Sequence, residues 1–318
     1  MSYATITPMN VDTHFHIFDK NTISMANSRY SVGYDASIDD WFNLANKQGI
    51  AGGVIVQPSF LGFDNALLLK TIQRTPKLLR GVGSVEPKTS RKELLELKKR
   101  GVCGIRLNLF DDQHPLDTLE SNQNLINLLK GLDMHLQIHH NDGLLNELLS
   151  NIPHGTKIVV DHFGRPNTDD EFLSEQLGIN KHLENLWVKL SAPYRTPKIN
   201  HQAIFEYWAK KIGKSRLLWG SDWPHTRYEE SESYESQIRK FLDLTKDSDL
   251  VNQILSTNPR SLYWQSHFSL PPPINRLAIG LNQPQTYRLA KITINVNIRR
   301  GFMRFKAFIA IMKSKLLD

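Results

Sequence analysis

His14 and His16 stand two residues apart at the end of an apolar run, Val-Asp-Thr-His-Phe-His (residues 11–16), and Asp222 ends another in Trp-Gly-Ser-Asp-Trp-Pro-His (residues 219–225). On an extended strand, residues i and i+2 point to the same face, so the two imidazoles are presented together. Two imidazoles and a carboxylate at one point are what is needed to polarise a carbonyl and activate a water. The strings lie near opposite ends of the pattern. Only a fold that sets the first strand beside the last unites them, and a closed α/β barrel does so at one mouth.

Other apolar runs also end in polar residues. Ser59 follows the second, Arg106 closes the fourth, and His139 lies at the end of the fifth. His162 follows the sixth, Tyr194 and Arg195 follow the seventh, and His225 lies just beyond the eighth. Asp222 is the best general base among them, because a carboxylate near imidazoles and away from bulk water can accept a proton near neutral pH. His14, His16 and His162 would surround the electrophilic oxygen, as hydrogen-bond donors or through a metal. Arg106 and Arg195 have the fork geometry that suits a substrate carboxylate. Ser59, Tyr194, His139 and His225 complete the expected substrate contacts.

Eight apolar, β-branched-rich runs must position these groups: Met9–His16, Ala51–Pro58, Leu79–Val85, Val102–Leu109, Met134–His140, Lys157–His162, Leu186–Ser191 and Arg216–Asp222. Helical stretches separate them. Ser90 with Glu93 reads as a capping box before a helix closed at Gly101. Asp117 with Glu120 is expected to open a helix over Leu119–Lys130, and Asn200 to cap Gln202–Ile212. Asp247–Trp264 reads as a last helix and turn. The alternation predicts a parallel sheet covered on both faces. With no G-x-G-x-x-G after the first strand, a dinucleotide-binding open sheet loses support. The fold class expected is α/β, a (β/α)8 TIM barrel over residues 1–268 with a basic C-terminal tail over 269–318.

Composition narrows the function. The net charge of +7 is concentrated beyond Pro271, where nine Lys/Arg and one acidic residue give +8 and leave the preceding 270 residues at about −1. The body therefore gives no electrostatic reason to expect nucleic acid. Lys306–Leu317 reads as a basic amphipathic stretch or a poorly ordered extension. No run is long and apolar enough to span a membrane, and no basic-then-apolar leader opens the chain. The single cysteine, Cys103, excludes an internal disulfide framework, fits a reducing cytoplasmic setting, and reads as a small buried residue rather than a nucleophile.

Taken together, Val-Asp-Thr-His-Phe-His, Val-Gln-Pro-Ser, Gly-Ile-Arg-Leu-Asn, Val-Asp-His-Phe-Gly-Arg-Pro, Val-Lys-Leu-Ser-Ala-Pro-Tyr-Arg and Trp-Gly-Ser-Asp-Trp-Pro-His resemble the amidohydrolase superfamily, amidohydrolase-related branch. They look most like its 2-pyrone-4,6-dicarboxylate hydrolase group of lactonases. The resemblance implies a distorted (β/α)8 barrel and a hydrolase that opens a carboxylated lactone, a pyrone-dicarboxylate-like or sugar-acid lactone, by Asp222-activated water. It also implies carbonyl polarisation by His14, His16 and His162, and substrate contacts from Arg106, Arg195 and Ser59. That group works without a divalent metal, so no cofactor is favoured. The alternative is one divalent metal, Zn or Mn, held by His14, His16, His139, His162 and Asp222, as in the decarboxylases of the same superfamily. A non-catalytic barrel with a binding tail is the remaining alternative. The loop after strand four, Phe-Asp-Asp-Gln-His (110–114), is acidic where the hydrolase group carries a second arginine.

Overall fold

The first and last strands of the sheet are stitched together by the residues that carry the candidate chemistry. In a computed structural model that describes residues 9–21, 32–171 and 176–264, eight parallel strands run in sequence order around a barrel. They are β1 (Val11–Phe15), β2 (Gly52–Val56), β3 (Leu79–Gly83), β4 (Val102–Leu109), β5 (His135–His140), β6 (Ile158–Val160), β7 (Leu186–Ser191) and β8 (Leu217–Gly220). Just past β8, Asp222 N donates to His14 O and His16 N donates to Trp223 O, both at 2.8 Å. These bonds and a parallel bridge between Phe15 and Trp223 complete the ring.

Strand positions alternate between two apolar layers. Ile55, Ile158, Val160, Leu217 and Trp219 pack outward under the helices, whereas Val54, Val56, Val82, Val159 and Leu218 form a smaller cluster inside the barrel. Tyr263 joins that inner cluster, and Arg80 Nε donates to its carbonyl at 3.2 Å. Two-sided burial is why the strands read as near-continuous apolar runs.

Five strands, β1, β2, β3, β6 and β8, end one or two residues sooner than the apolar runs suggest, and in β6 and β8 the backbone shows why. His162 and Phe163 have φ of 51° and 58°, and Asp222 has φ of 58°. These values lie in the left-handed region, so the extended ladder stops before each of them.

The expected cap signals fall into three cases. Ser90 and Glu93 form a reciprocal capping box on the helix Arg91–Lys99, and Asn200 accepts from Ala203 N at the start of the helix His201–Lys211. Asp117 with Glu120 does not open a single helix over 119–130. Instead two helices, Pro115–Ser121 and Gln123–Gly131, meet at Asn122. Pro115 suits the first helical position, where its missing N–H costs nothing, so the helix starts earlier than Asp117 would place it. The terminal stretch is likewise not one regular helix. Asp247 caps Ser248–Asn252, and a π-helical turn over Gln253–Thr257 precedes Asn258–Tyr263, where Pro259 removes a backbone donor. The basic tail over 269–318, including Lys306–Leu317, lies outside the described residues.

Candidate active site

β1 and β8 bring His14 and Asp222 together. A Cβ added at Gly220 would lie 2.4 Å from His14 Cβ, so only glycine lets β8 approach β1 this closely. The site is then built at the strand ends on strained backbone. Asp222, His162, Arg165, Ala192 and His225 all have positive φ. Left-handed non-glycine residues cost of order 1–3 kcal/mol each and persist where surrounding structure over-determines them.

The two oxygens of Asp222 face different partners. Oδ2 accepts from Tyr194 Oη and from Arg195 Nε, each at 2.7 Å. Oδ1 lies 3.5 Å from Nε2 of His14, 3.5 Å from Nε2 of His16 and 4.0 Å from Nε2 of His162. Burial alone would raise the Asp222 pKa, but Arg195, His162, His16 and His14 override it and hold the carboxyl well below the usual carboxylate range.

Ring orientation decides what the imidazoles offer. His16 Nδ1 sits 2.8 Å from Val56 O, and a carbonyl only accepts, so Nδ1 carries the hydrogen. His14 Nδ1 lies 3.1 Å from Asp161 Oδ1, another acceptor. Burial drives the His14 pKa down to about 3, so its ring is neutral and Nε2 bears a lone pair. That atom is buried and has no hydrogen-bond partner among the described residues. Neutral His14 therefore aims a lone pair, not a donor, at Asp222 Oδ1, and His16 turns its Nε2 to the same oxygen. His162 is different: its Nδ1 faces Ser191 Oγ at 2.9 Å, and a hydroxyl donates or accepts, so neither tautomer is imposed. Burial keeps His162 and His139 neutral, with pKa values well below that of free histidine.

This donor set fits a divalent cation. His14, His16 and Asp222 each offer one ligand atom, all within 4.8 Å of one another, and His14, Asp161 and His162 form a second such group. Neutral imidazoles with a carboxylate are a chemically apt ligand set for zinc or manganese. His139, expected as a further ligand, belongs to neither group. Its Nδ1 instead faces Asn108 Oδ1 at 2.8 Å, and its ring stacks on Phe110 at 5.1 Å.

Beneath the cavity lies a charged network that strand-end reasoning missed. Asp161 accepts from Arg106 Nε at 3.1 Å and from Gln137 Nε2 at 2.9 Å, and Lys189 Nζ lies 3.6 Å away. Lys189 donates to Gln137 Oε1 at 2.9 Å, which orients that amide, and sits 3.4 Å from His14 Nδ1. Burial pushes the pKa of this fully enclosed lysine down to about 8. Burial would raise the Asp161 pKa, but His14, Lys189 and Arg106 together hold it well below the usual range. The missed signal was parity: Lys189 stands two before Ser191, and Gln137 two before His139, so each shares the inward face of a residue already singled out.

The candidate catalytic cavity is lined by His16, Ser59, Arg106, His139, His162, Arg195 and Asp222. Tyr194 reaches it only through its bond to Asp222, whereas His225 packs beside the Tyr194 ring at 6.1 Å and is not among the lining residues. An outer chamber of about 420 Å³ is lined by Phe110, His139, Arg165, Arg195, Thr226, Arg227 and Tyr228. Arg165, not anticipated, lies 4.7 Å over the Phe110 ring and pairs with Asp142 at 2.7 Å.

The amidohydrolase family model matches residues 11–264. The chain belongs to the amidohydrolase family. It is 28% identical over 276 residues to a 4-sulfomuconolactone hydrolase from Rhizobium radiobacter, covering 79% of this chain and 89% of that one. It is 29% identical over 278 residues to a 2-pyrone-4,6-dicarboxylate hydrolase from Comamonas testosteroni, covering 80% and 90%. Among solved structures it superposes with TM-score 0.73 on a probable 2-pyrone-4,6-dicarboxylic acid hydrolase from Acinetobacter baumannii with citric acid bound, at 30% identity and covering 80% and 99%. No helix of the described residues is long and apolar enough to cross a membrane.

Proposed function

We propose that this protein is a hydrolase that opens a lactone bearing at least one carboxylate or similar anion, with Asp222 as the general base. The observation that carries the reading is the division of labour on Asp222: one oxygen is held by Tyr194 and Arg195, and the other is turned toward three imidazoles. The sequence relatives act on lactones with an additional acidic group, which fits the arginines Arg106, Arg165 and Arg195 around the two cavities.

Water attacks the lactone carbonyl while Asp222 Oδ1 takes its proton; collapse of the tetrahedral intermediate breaks the ring acyl C–O bond, and the departing ring oxygen receives that proton from Asp222. Arg195 holds Asp222 ionised in the free protein. A substrate carboxylate placed against Arg195 weakens that hold and makes Asp222 a stronger base once substrate is bound. Among the three imidazoles, His162 can present an N–H to the developing oxyanion, because its tautomer is unconstrained. His14 and His16 are turned to act as ligands, so with Asp222 they would hold a divalent cation, which supplies Lewis-acid polarisation of the carbonyl when bound. Arg106 holds Asp161, and Asp161 orients His14.

The test is a panel of lactones with no, one or two carboxylates, assayed by proton release with wild type and Asp222→Asn. Turnover confined to carboxylated lactones and lost in the variant is expected. Release of carbon dioxide instead of a new acid would place the protein with the decarboxylases, and no turnover of any member would remove the lactonase reading.

A further inference from the structure

We propose a second binding site, apart from the catalytic cavity, that takes an uncharged, mainly aromatic molecule bearing one hydrogen-bond donor. It is a cavity of about 580 Å³ beside β7 and β8, between the start of the helix His201–Lys211 and the helix Tyr234–Thr245. That size is in the range of small-molecule clefts.

The lining dictates the ligand chemistry. Phe163, Tyr194, Trp219, Tyr228 and Phe241 supply aromatic walls, and Leu190 and Leu244 fill between them. The two charged groups on the lining cancel, since Lys240 Nζ holds both Glu232 carboxylate oxygens at 2.8 and 2.7 Å. A net-neutral apolar cleft favours a neutral ligand, because an added charge would be desolvated without a partner.

One polar atom points to a donor on that ligand. Gln237 lines the cavity and is only 2% exposed. Its Nε2 donates to Glu232 Oε2, and because a carboxylate accepts only, the amide cannot be turned the other way. Gln237 Oε1 is then a buried acceptor with no hydrogen-bond partner among the described residues. A buried acceptor gains from any ligand N–H or O–H placed against it. The site also adjoins the chemistry. Tyr194 and Ser191 line it, and their hydroxyls contact Asp222 Oδ2 at 2.7 Å and His162 Nδ1 at 2.9 Å.

Indole and 1-methylindole test the proposal, because they differ in the one N–H. Calorimetric titration of the full-length protein is expected to give one equivalent of indole bound, about five-fold tighter than 1-methylindole, the ratio of one ordinary hydrogen bond. Gln237→Met should bring the two ligands to equal affinity. Leu244→Trp, which fills the cavity, should abolish both, and Asp222→Asn should leave both unchanged. Should Leu244→Trp fail to fold by circular dichroism, nuclear Overhauser contacts between indole protons and the Leu244 methyls of the wild type decide the matter. Absence of saturable binding, equal affinities in the wild type, binding that survives Leu244→Trp, or no contact to Leu244 would each overturn the site.

Discussion

The amide of Asp222 donates to the carbonyl of His14 at 2.8 Å, so one of the bonds that closes the barrel also places the candidate base against the first imidazole. Their side chains meet at 3.5 Å as a consequence of the fold's closure. Separating the two strands would open the barrel and dismantle the site in the same event. Substitutions at the seam therefore divide into those that change its chemistry and those that change its geometry.

Asp222→Asn changes chemistry alone. Asn tolerates a left-handed backbone about as well as Asp, so φ of 58° is preserved without new strain. Loss of a general base costs about 10²–10⁴-fold in rate. We expect kcat on the best lactone of the panel to fall by about that factor, while the thermal midpoint moves by only a few degrees. A collapse of the midpoint would show that Asp222 serves the seam more than the reaction.

Lys189→Met probes the hidden network. The lysine is wholly buried, and its removal leaves Asp161 with Arg106 and Gln137 as remaining partners. Breaking one side of a buried charge pair costs about 3–5 kcal/mol. Arg106 still compensates Asp161 in Lys189→Met, so Lys189→Met/Asp161→Asn, which leaves the buried Arg106 without its carboxylate, should be less stable to urea than Lys189→Met alone. Equal stability of the two variants would mean that Arg106 and Asp161 are not energetically paired.

The eight strands and the convergence of the candidate residues were legible because a parallel barrel buries its strands on both sides and brings their ends to one mouth. Asp222, His14, His16 and His162 all stand at such ends, and the structure brings them together. Lys189 and Gln137 were not legible. A polar residue within an apolar strand reveals its inward role only when the parity of the barrel is known. Arg165 was hidden for another reason: its position follows from left-handed backbone at His162, Phe163 and Arg165, which local propensity does not anticipate. His225 read as a cavity residue from its proximity to Asp222, but φ of 64° turns the chain there and packs the ring beside Tyr194.

Acid should weaken the fold through its buried histidines before the carboxylates titrate. Burial drives His14 and His135 down to about 3, and His140 and His225 down to about 4. A folded pKa below the unfolded value of about 6.5 means that the unfolded chain binds more protons below that pH. The contribution is fully present above pH 6.5 and is lost as pH falls toward the folded values, at up to about 1.4 kcal/mol per unit for each group. Urea unfolding at pH 7.5, 6 and 5 should show a progressive loss of stability, and His225→Gln should flatten the slope. A flat profile over this range would mean that these rings are protonated in the folded protein.

Arg165 and Arg195 line the outer chamber, where a distal anion of the substrate would lie. Arg165 lies away from Asp222 and pairs with Asp142, so Arg165→Met should act on binding and leave the base untouched. We expect KM for a doubly charged lactone to rise about 10–100-fold with kcat nearly constant, in line with loss of a charge-assisted contact of about 1.5–3 kcal/mol. A singly charged lactone should show much less change. Raised salt should weaken the wild type toward the variant. Equal effects on doubly and singly charged substrates would assign Arg165 to structure.

Metal content follows from tautomers. Val56 O holds a hydrogen on His16 Nδ1, and Asp161 does the same for His14, so both rings turn Nε2 toward Asp222 Oδ1. Three acceptors converging without a proton or cation between them repel, and a divalent cation removes that repulsion. Elemental analysis of protein purified without chelator should find about one equivalent of zinc or manganese, and His16→Asn should hold much less. Removing the cation should also lower the thermal midpoint, because a ligand that binds only the folded state stabilises it. If the wild type purifies fully active with no metal and gains no stability from added zinc or manganese, proton sharing among Asp222, His14 and His16 is what holds the cluster together, and His162 alone is left to polarise the carbonyl.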